Sequence, residues 1–243
     1  MFTVDDRRRV HDRVLALAES DPRVVAGAVV GSLALLHGDR WSDLDLTFAV
    51  ADAIPVTDVL EDWTRMLADE LGAVHLFDLP SGQSIYRVFL LPGCLQFDLS
   101  FTPAAAFGAT SPKFKLLFGE AVERPLSEPP PAEELFGYGI HHALRARFSI
   151  ERGRVWLAEY WISALRDYAL NLACRRRGLP AWHGRGFDDL PTDVLGRFEG
   201  AIVRSLDRDE LLRALRCALD GLLREGGELA SAVEPNLATL LPE

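Results

Sequence analysis

The chain has 243 residues and a mass of 26.9 kDa, and 49% of its residues are hydrophobic and 26% charged. This composition is typical of a globular protein and excludes collagen-like, disulfide-scaffold and wholly disordered classes. The formal net charge is −10, of which −8 falls in residues 1–100, so the chain lacks the basic surface that binding to a long nucleic-acid duplex requires.

Two features of the sequence bear on the cellular compartment. The N-terminus is charged and lacks the apolar stretch of a signal peptide, and the longest nearly apolar run, residues 24–36, is shorter than the roughly 18 residues of a membrane span. Cys94, Cys174 and Cys217 are far apart, and we predict three buried thiols in a reducing compartment. We therefore expect a cytoplasmic protein that does not bind a membrane.

The first hundred residues mix helical and strand patterns. Apolar residues recur at helical spacing in two segments, and the run Arg7–Arg9 in the first of them is predicted to lie on a solvated face. Uncharged or alternating runs predict strands, and Pro92-Gly93 predicts a turn between two of them. Helices are predicted at 5–19, 33–36 and 55–71, and strands at 24–30, 44–50, 74–79, 85–91 and 95–101.

The second half of the chain has a different organisation. Residues 121–132 are rich in Pro and Glu and are predicted to form a linker. The sequence therefore predicts an α+β protein with an N-terminal mixed β-sheet domain carrying helices, residues 1–120, and an all-α C-terminal helical bundle, residues 133–243. Helices are predicted at about 133–150, 153–177, 191–205, 207–225 and 227–241.

Three carboxylates form the most informative pattern. Asp43 and Asp45 are two residues apart on a predicted strand, so their side chains point to the same face. Asp98 lies on a later strand that could run alongside. Carboxylates this close repel one another unless a cation lies between them, and paired oxygen ligands are what Mg²⁺ prefers. Three such groups can hold two divalent ions in the arrangement used for phosphoryl displacement.

Gly31-Ser32 supplies a complementary feature. A strand that ends in Gly and continues into a helix presents free backbone N–H groups, which bind anions, and the Ser32 hydroxyl adds a donor. Each feature alone is common, since Asp-x-Asp often marks a solvated strand edge and Gly-Ser a simple turn. Their combination in this order is far more specific.

The combination of Gly31-Ser32, Ser42-Asp43-Leu44-Asp45-Leu46 and a later strand Asp98 resembles the signature of the polymerase-β-type nucleotidyltransferase superfamily. Within it the chain is most similar to the small bacterial aminoglycoside and lincosamide nucleotidyltransferases. The resemblance implies that Gly31 and Ser32, with Asp43 and Asp45, bind a nucleoside triphosphate, and that Asp43, Asp45 and Asp98 ligate two Mg²⁺ ions. It also implies transfer of AMP from ATP, or of another nucleoside monophosphate, to a hydroxyl of a small molecule such as an antibiotic, with release of pyrophosphate.

The helix predicted at 153–177 carries its polar side chains on one arc. In the antibiotic-modifying relatives, a Glu followed by Tyr on a tail helix acts as general base, and Glu159-Tyr160 resembles that pair, with Arg166 predicted to orient Glu159. Asp167 is the alternative base. The competing interpretation is that this arc is the solvated side of an amphipathic helix.

A second function of a different class stays open. A toxin–antitoxin-type nucleotidyltransferase, or a regulatory binding protein on the same fold, would act on a protein partner. An RNA-tailing enzyme is disfavoured by the acidic charge. The five Trp and thirteen Phe are compatible with a homodimer interface without establishing one.

Overall fold

The computed structural model describes residues 1–35, 38–237 and 240. The chain divides into two compact units, Met1–Ser127 and Glu128–Glu243. The first contains a mixed β-sheet with helices and the second is helical, which confirms the predicted α+β class. No helix among the described residues is both long and apolar enough to cross a membrane.

The elements follow the predicted order closely. The predicted short helix at 33–36 is a 3₁₀ turn, Gly31–Leu35, and residue 36 lies outside the described residues. The helices are α1 Val4–Ser20, α2 Val56–Leu71, α3 Ala132–Glu151, α4 Val155–Arg176, α5 Thr192–Gly196, α6 Arg208–Gly226 and α7 Glu228–Leu237. The strands are β1 Val24–Val30, β2 Leu44–Val50, β3 Val74–Ser81, β4 Ser84–Leu91, β5 Leu95–Pro103 and β6 Phe114–Phe118.

The strands in the described part of the chain form one sheet in the order β3-β4-β5-β2-β1-β6. β2 and β5 are parallel, and the other neighbouring pairs are antiparallel. One face of the sheet packs on α1 and α2. There Trp63 lies 5.5 Å from Phe48 and 5.2 Å from Phe101 between ring centroids. Because side chains alternate along a strand, the polar residues of β2 and β5 are left on the other face.

Strand β6 is absent from the sequence prediction. Its residues, Phe114–Phe118, do not alternate between apolar and polar, and it is only five residues long. It pairs antiparallel with β1, with Val30 opposite Phe114. Its place at the sheet edge therefore depends on long-range pairing with β1 rather than on a local pattern.

The prediction of a single helix over 191–205 is wrong. The structure has the short helix α5 and then a 3₁₀ turn, Glu199–Ala201. Gly196 and Gly200 weaken a helix here because glycine loses most backbone entropy when it becomes helical. The Arg213 guanidinium on α6 also donates to the carbonyl oxygens of Gly200 and Ile202, and these bonds fix an irregular backbone.

The prediction of three buried thiols is correct for Cys174 only. Cys174 is buried in the core of the helical unit, and Cys217 is partly buried. Cys94 is exposed because it occupies the turn between β4 and β5, where its φ is 64°.

Candidate active site

The three predicted carboxylates meet at one end of the parallel strand pair. Asp45 of β2 lies directly opposite Asp98 of β5 in the register, and Asp43 immediately precedes β2. One carboxylate oxygen from each residue lies within 4.8 Å of the others, and all three residues are partly buried. The parallel register of two strands thus assembles the cluster that the sequence suggested. A set of three partly buried carboxylate oxygens fits a hard divalent cation such as Mg²⁺.

The electrostatics of the cluster disfavour three bare negative charges. Burial raises the pKa of the Asp98 carboxyl above its ordinary value, a hydrogen bond from Gln96 at 3.0 Å lowers it, and the Asp43 carboxylate raises it further. The net shift is upward. A cation between the carboxylates would reverse this effect because it favours their ionised form.

Gly31 brings the backbone of the β1 turn against the cluster. Its φ is +71°, a left-handed conformation that glycine adopts without strain. A Cβ at this position would lie only 2.2 Å from Oδ2 of Asp45, so the close approach also requires glycine. Ser32 follows, and its Oγ is buried without a hydrogen-bond partner in the described part of the chain. A buried, unpartnered hydroxyl beside three carboxylates indicates a position where a polar ligand completes the hydrogen bonding.

Ser32 and Asp43 line a cavity of about 340 Å³, together with Asp39, Ser42 and Gln96. The cavity therefore joins the turn after β1 to the carboxylate that precedes β2. Its volume is in the range of small-molecule sites. The arrangement combines a hydroxyl suited to donate to an anion with carboxylates suited to a cation, which together fit a metal-bound phosphate group.

The loop that leads into Asp43 is held by a buried arginine that sequence reasoning missed. Arg7 was expected on a solvated face, but its exposure is only 6%. Its guanidinium donates to the backbone oxygens of Asp39, at 2.9 Å, and Ser42, at 2.5 Å. Arg8 and Arg9 are exposed as predicted. The position within the helix is the signal that separates them, because Arg7 shares the inward side of α1 with the buried residues Val14 and Ala18.

The loop is also closed by its own side chains. Asp39 accepts from the backbone N–H of Trp41 at 2.8 Å and from the Ser42 hydroxyl at 3.2 Å, and these bonds lower the pKa of the Asp39 carboxyl. Arg7 therefore clamps a loop that is already compact. The clamp fixes the backbone one residue before Asp43.

For a carboxylate cluster that binds Mg²⁺ and is catalytic, we expect Arg7→Met to lower turnover by about 10- to 100-fold, because displacements of about 1 Å cost this much in a positioned site. The same change should lower the free energy of unfolding by about 1–3 kcal/mol, since two backbone oxygens lose their donor. The informative readout is the Mg²⁺ concentration for half-maximal activity, which should rise in Arg7→Met and rise less in Arg7→Lys. Arg8→Met is the matched control. An unchanged Mg²⁺ requirement in Arg7→Met would show that the clamp serves folding alone.

In the helical unit, Glu159 and Asp167 lie partly buried on α4. Glu159 accepts a hydrogen bond from the Ser163 hydroxyl at 2.7 Å. The prediction that Arg166 orients Glu159 is wrong, because the Arg166 guanidinium donates to Asp167 Oδ1 at 2.9 and 3.1 Å. Asp167 is therefore ion-paired with its sequence neighbour Arg166, while Glu159 is held by the neutral Ser163 hydroxyl.

The chain is similar to solved structures, whereas comparisons with family models and curated sequences find no match. No protein-family model matches the chain, and no curated protein sequence matches it significantly. Among solved structures, the crystal structure of an aminoglycoside 6-adenyltransferase from Bacillus subtilis is similar to this chain over 96% of its length and 91% of that protein's length. The sequence identity is 13% and the TM-score is 0.38. At these values the function has to be inferred from the residues of the site.

Proposed function

We propose that this protein is a Mg²⁺-dependent nucleotidyltransferase that moves a nucleoside monophosphate, AMP from ATP, to a hydroxyl of a small molecule. Aminoglycoside- and lincosamide-type compounds are the acceptor classes to test first. The observation that carries this proposal is the convergence of Asp43, Asp45 and Asp98 within 4.8 Å at the ends of two parallel strands. The glycine turn at Gly31 and the unpartnered Ser32 hydroxyl beside them supply the anion-binding half of the site.

Asp43, Asp45 and Asp98 are the residues that would hold two divalent ions. When bound, such ions neutralise phosphate charge and stabilise both the entering and the leaving oxygen of an in-line displacement. Gly31 N–H and Ser32 Oγ–H donate to the phosphate chain of the donor, which fixes the α-phosphorus over the carboxylates.

The reaction balances as a single displacement. The acceptor oxygen forms a bond to the α-phosphorus, and the bond from that phosphorus to the bridging oxygen of the β-phosphate breaks. Pyrophosphate leaves with the electron pair of that bond. The proton of the acceptor hydroxyl goes to a carboxylate, and we propose that Glu159 accepts it.

A transfer assay with NTPs labelled at the α-phosphate tests the proposal. The purified protein is incubated with Mg²⁺ and each labelled NTP against aminoglycosides, lincosamides and cell-extract proteins. Label on a small molecule supports the proposal. Label confined to a protein instead supports modification of a protein partner, and absence of any transfer or pyrophosphate release across the panel would support a regulatory binding protein.

We expect Glu159→Gln to reduce kcat by about 10²-fold while leaving the affinity for nucleotide nearly unchanged, because a positioned general base contributes about 10²–10⁴-fold. Single-turnover kinetics with saturating nucleotide separates the two effects. Asp167→Asn is the matched control, since Asp167 is already paired with Arg166. Loss of activity in Asp167→Asn alone would transfer the role to Asp167, and full activity in both variants would identify the arc as a solvated helix face.

A further inference from the structure

The cavity lined by Ser32 and Asp43 is also lined by an exposed tryptophan, Trp41, two residues before Asp43 in the chain. Trp41 is 62% exposed, so most of this large aromatic side chain is not covered by protein. Phe2 and Cys94 line the same cavity. Beside the polar groups assigned to the donor phosphates, the cavity therefore offers an aromatic and apolar surface.

The backbone at Trp41 is fixed by the loop that carries it. The Trp41 backbone N–H donates to Asp39 Oδ1 at 2.8 Å. The backbone oxygens of Asp39 and Ser42, on either side of Trp41, accept from the buried Arg7 guanidinium. An aromatic side chain on an ordered loop loses little conformational freedom when a ligand packs on it, so more of the contact energy appears as affinity.

The Arg40 guanidinium covers one face of the Trp41 ring. Its central carbon lies 4.2 Å from the ring centroid, which is a cation–π contact. Trp41 lines the cavity, whereas Arg40 is not among the described lining residues. Because a planar ring has two faces, the face opposite Arg40 is available to a ligand in the cavity.

The chemistry of the donor matches this surface. Every nucleobase has a flat π-face that stacks on an aromatic side chain. A single ribose joins the base of a nucleotide to its α-phosphate, so phosphates held at Ser32 and Asp43 keep the base close to the same cavity. Among the described lining residues Trp41 is the exposed aromatic one, since Phe2 is buried. The acceptor has no covalent link to the phosphates before the reaction, so the tether assigns Trp41 to the donor.

We propose that Trp41 is the platform on which the base of the donor nucleotide stacks. The inference rests on the proposed function, which places the phosphates at Ser32 and the carboxylates, and it adds the residue that binds the base. Arg40 is a positioning residue that orients the indole from the face turned away from the cavity. The base thus contributes to donor affinity through Trp41, separately from the metal and the phosphates.

Calorimetric titrations of the full-length protein with Mg²⁺ present test this inference. The two ligands are an ATP analogue with a methylene bridge between its α- and β-phosphates, and ribose 5-triphosphate, which has no base. Trp41→Ala should weaken binding of the ATP analogue by about 5- to 100-fold, the range for losing one base–aromatic stack, and leave ribose 5-triphosphate binding unchanged. Trp41→Phe should restore most of the lost affinity. Trp156→Ala, at an exposed tryptophan on α4, is the matched control and should bind both ligands like the parent protein.

Three outcomes would overturn the inference. Unchanged affinity of Trp41→Ala for the ATP analogue would show that the base binds elsewhere. An equal loss for both ligands would show that Trp41 shapes the loop before Asp43 and does not contact the base. Failure of the parent protein to bind either ligand would reject the metal–nucleotide site and the inference together, whereas binding of ribose 5-triphosphate preserves the proposed function when the Trp41 result is negative. Thermal melts of all variants establish that each is folded.

Discussion

Replacing Asp45 with Asn is expected to lower nucleotide transfer by about 10³-fold or more. The change removes one negative charge from the carboxylate cluster, in which Asp45 lies opposite Asp98 on the neighbouring parallel strand. A bound metal ion contributes several kcal/mol of transition-state stabilisation, and each 1.36 kcal/mol lost costs tenfold in rate. Initial rates of pyrophosphate release at saturating Mg²⁺ measure the effect, and Asp43→Asn should behave in the same way.

The fold of Asp45→Asn should survive without metal. Burial, and then the Asp43 carboxylate, raise the pKa of Asp98, so negative charge is unfavourable at this site without metal. Because the carboxylate oxygens lie within 4.8 Å of one another, we expect removal of one charge to relieve repulsion. Thermal melts without Mg²⁺ should give the variant a Tm equal to or above that of the parent protein. Asp69→Asn, at an exposed position on α2, is the control and should change neither activity nor Tm. Substantial nucleotide transfer by Asp45→Asn would show that Asp45 is not a metal ligand.

Gly31→Ala should also lower activity strongly, although it alters no functional group. The left-handed φ of +71° costs a non-glycine residue about 1–2 kcal/mol. The added methyl group would also lie 2.2 Å from Asp45 Oδ2, so the carboxylate has to move. We expect transfer to fall by about 10²-fold or more, because a displaced metal-binding group is lost to catalysis. The measurement is the rate of pyrophosphate release together with Tm.

Gly72→Ala separates the cost of a left-handed backbone from the displacement of the Asp45 carboxylate. Gly72 has a similar φ of +64°, but the nearest atom to an added Cβ, on Pro92, lies at an ordinary contact distance of 3.5 Å. This variant should lose a comparable amount of stability and keep its activity. If Gly31→Ala were as active as Gly72→Ala, the turn would have no role in placing Asp45.

The parts of the site that the sequence predicts are those set by local patterns. Asp43 and Asp45 share a face because strand side chains alternate, and Gly31-Ser32 follows a recognisable strand. The sequence leaves open whether the strand of Asp98 lies beside that of Asp45, and the parallel register of β2 and β5 places the two residues opposite each other. The broad α+β organisation could likewise be predicted from periodicity alone.

The features that the sequence did not predict depend on long-range packing. Arg7 shares one side of α1 with Val14 and Ala18, which indicates burial, but its partners, the backbone oxygens of Asp39 and Ser42, depend on the packing of α1 on that loop. Strand β6 forms because β1 offers it a partner. A second cavity of about 190 Å³ in the first unit is likewise lined by residues between Val30 and Ser127 that no short motif connects. The partner of Arg166 depends on rotamer choice along α4, which spacing does not determine.

The most direct test of the central claim is a thermal melt with Mg²⁺ and a non-hydrolysable ATP analogue, comparing the parent protein with Asp45→Asn. A ligand at 100 times its Kd stabilises the folded state by about 2.7 kcal/mol, which raises Tm by several degrees. We predict this gain for the parent protein only, and only when both Mg²⁺ and the analogue are present. Equal stabilisation of Asp45→Asn, or no stabilisation of either protein, would contradict the assignment of Asp43, Asp45 and Asp98 as a metal–nucleotide site.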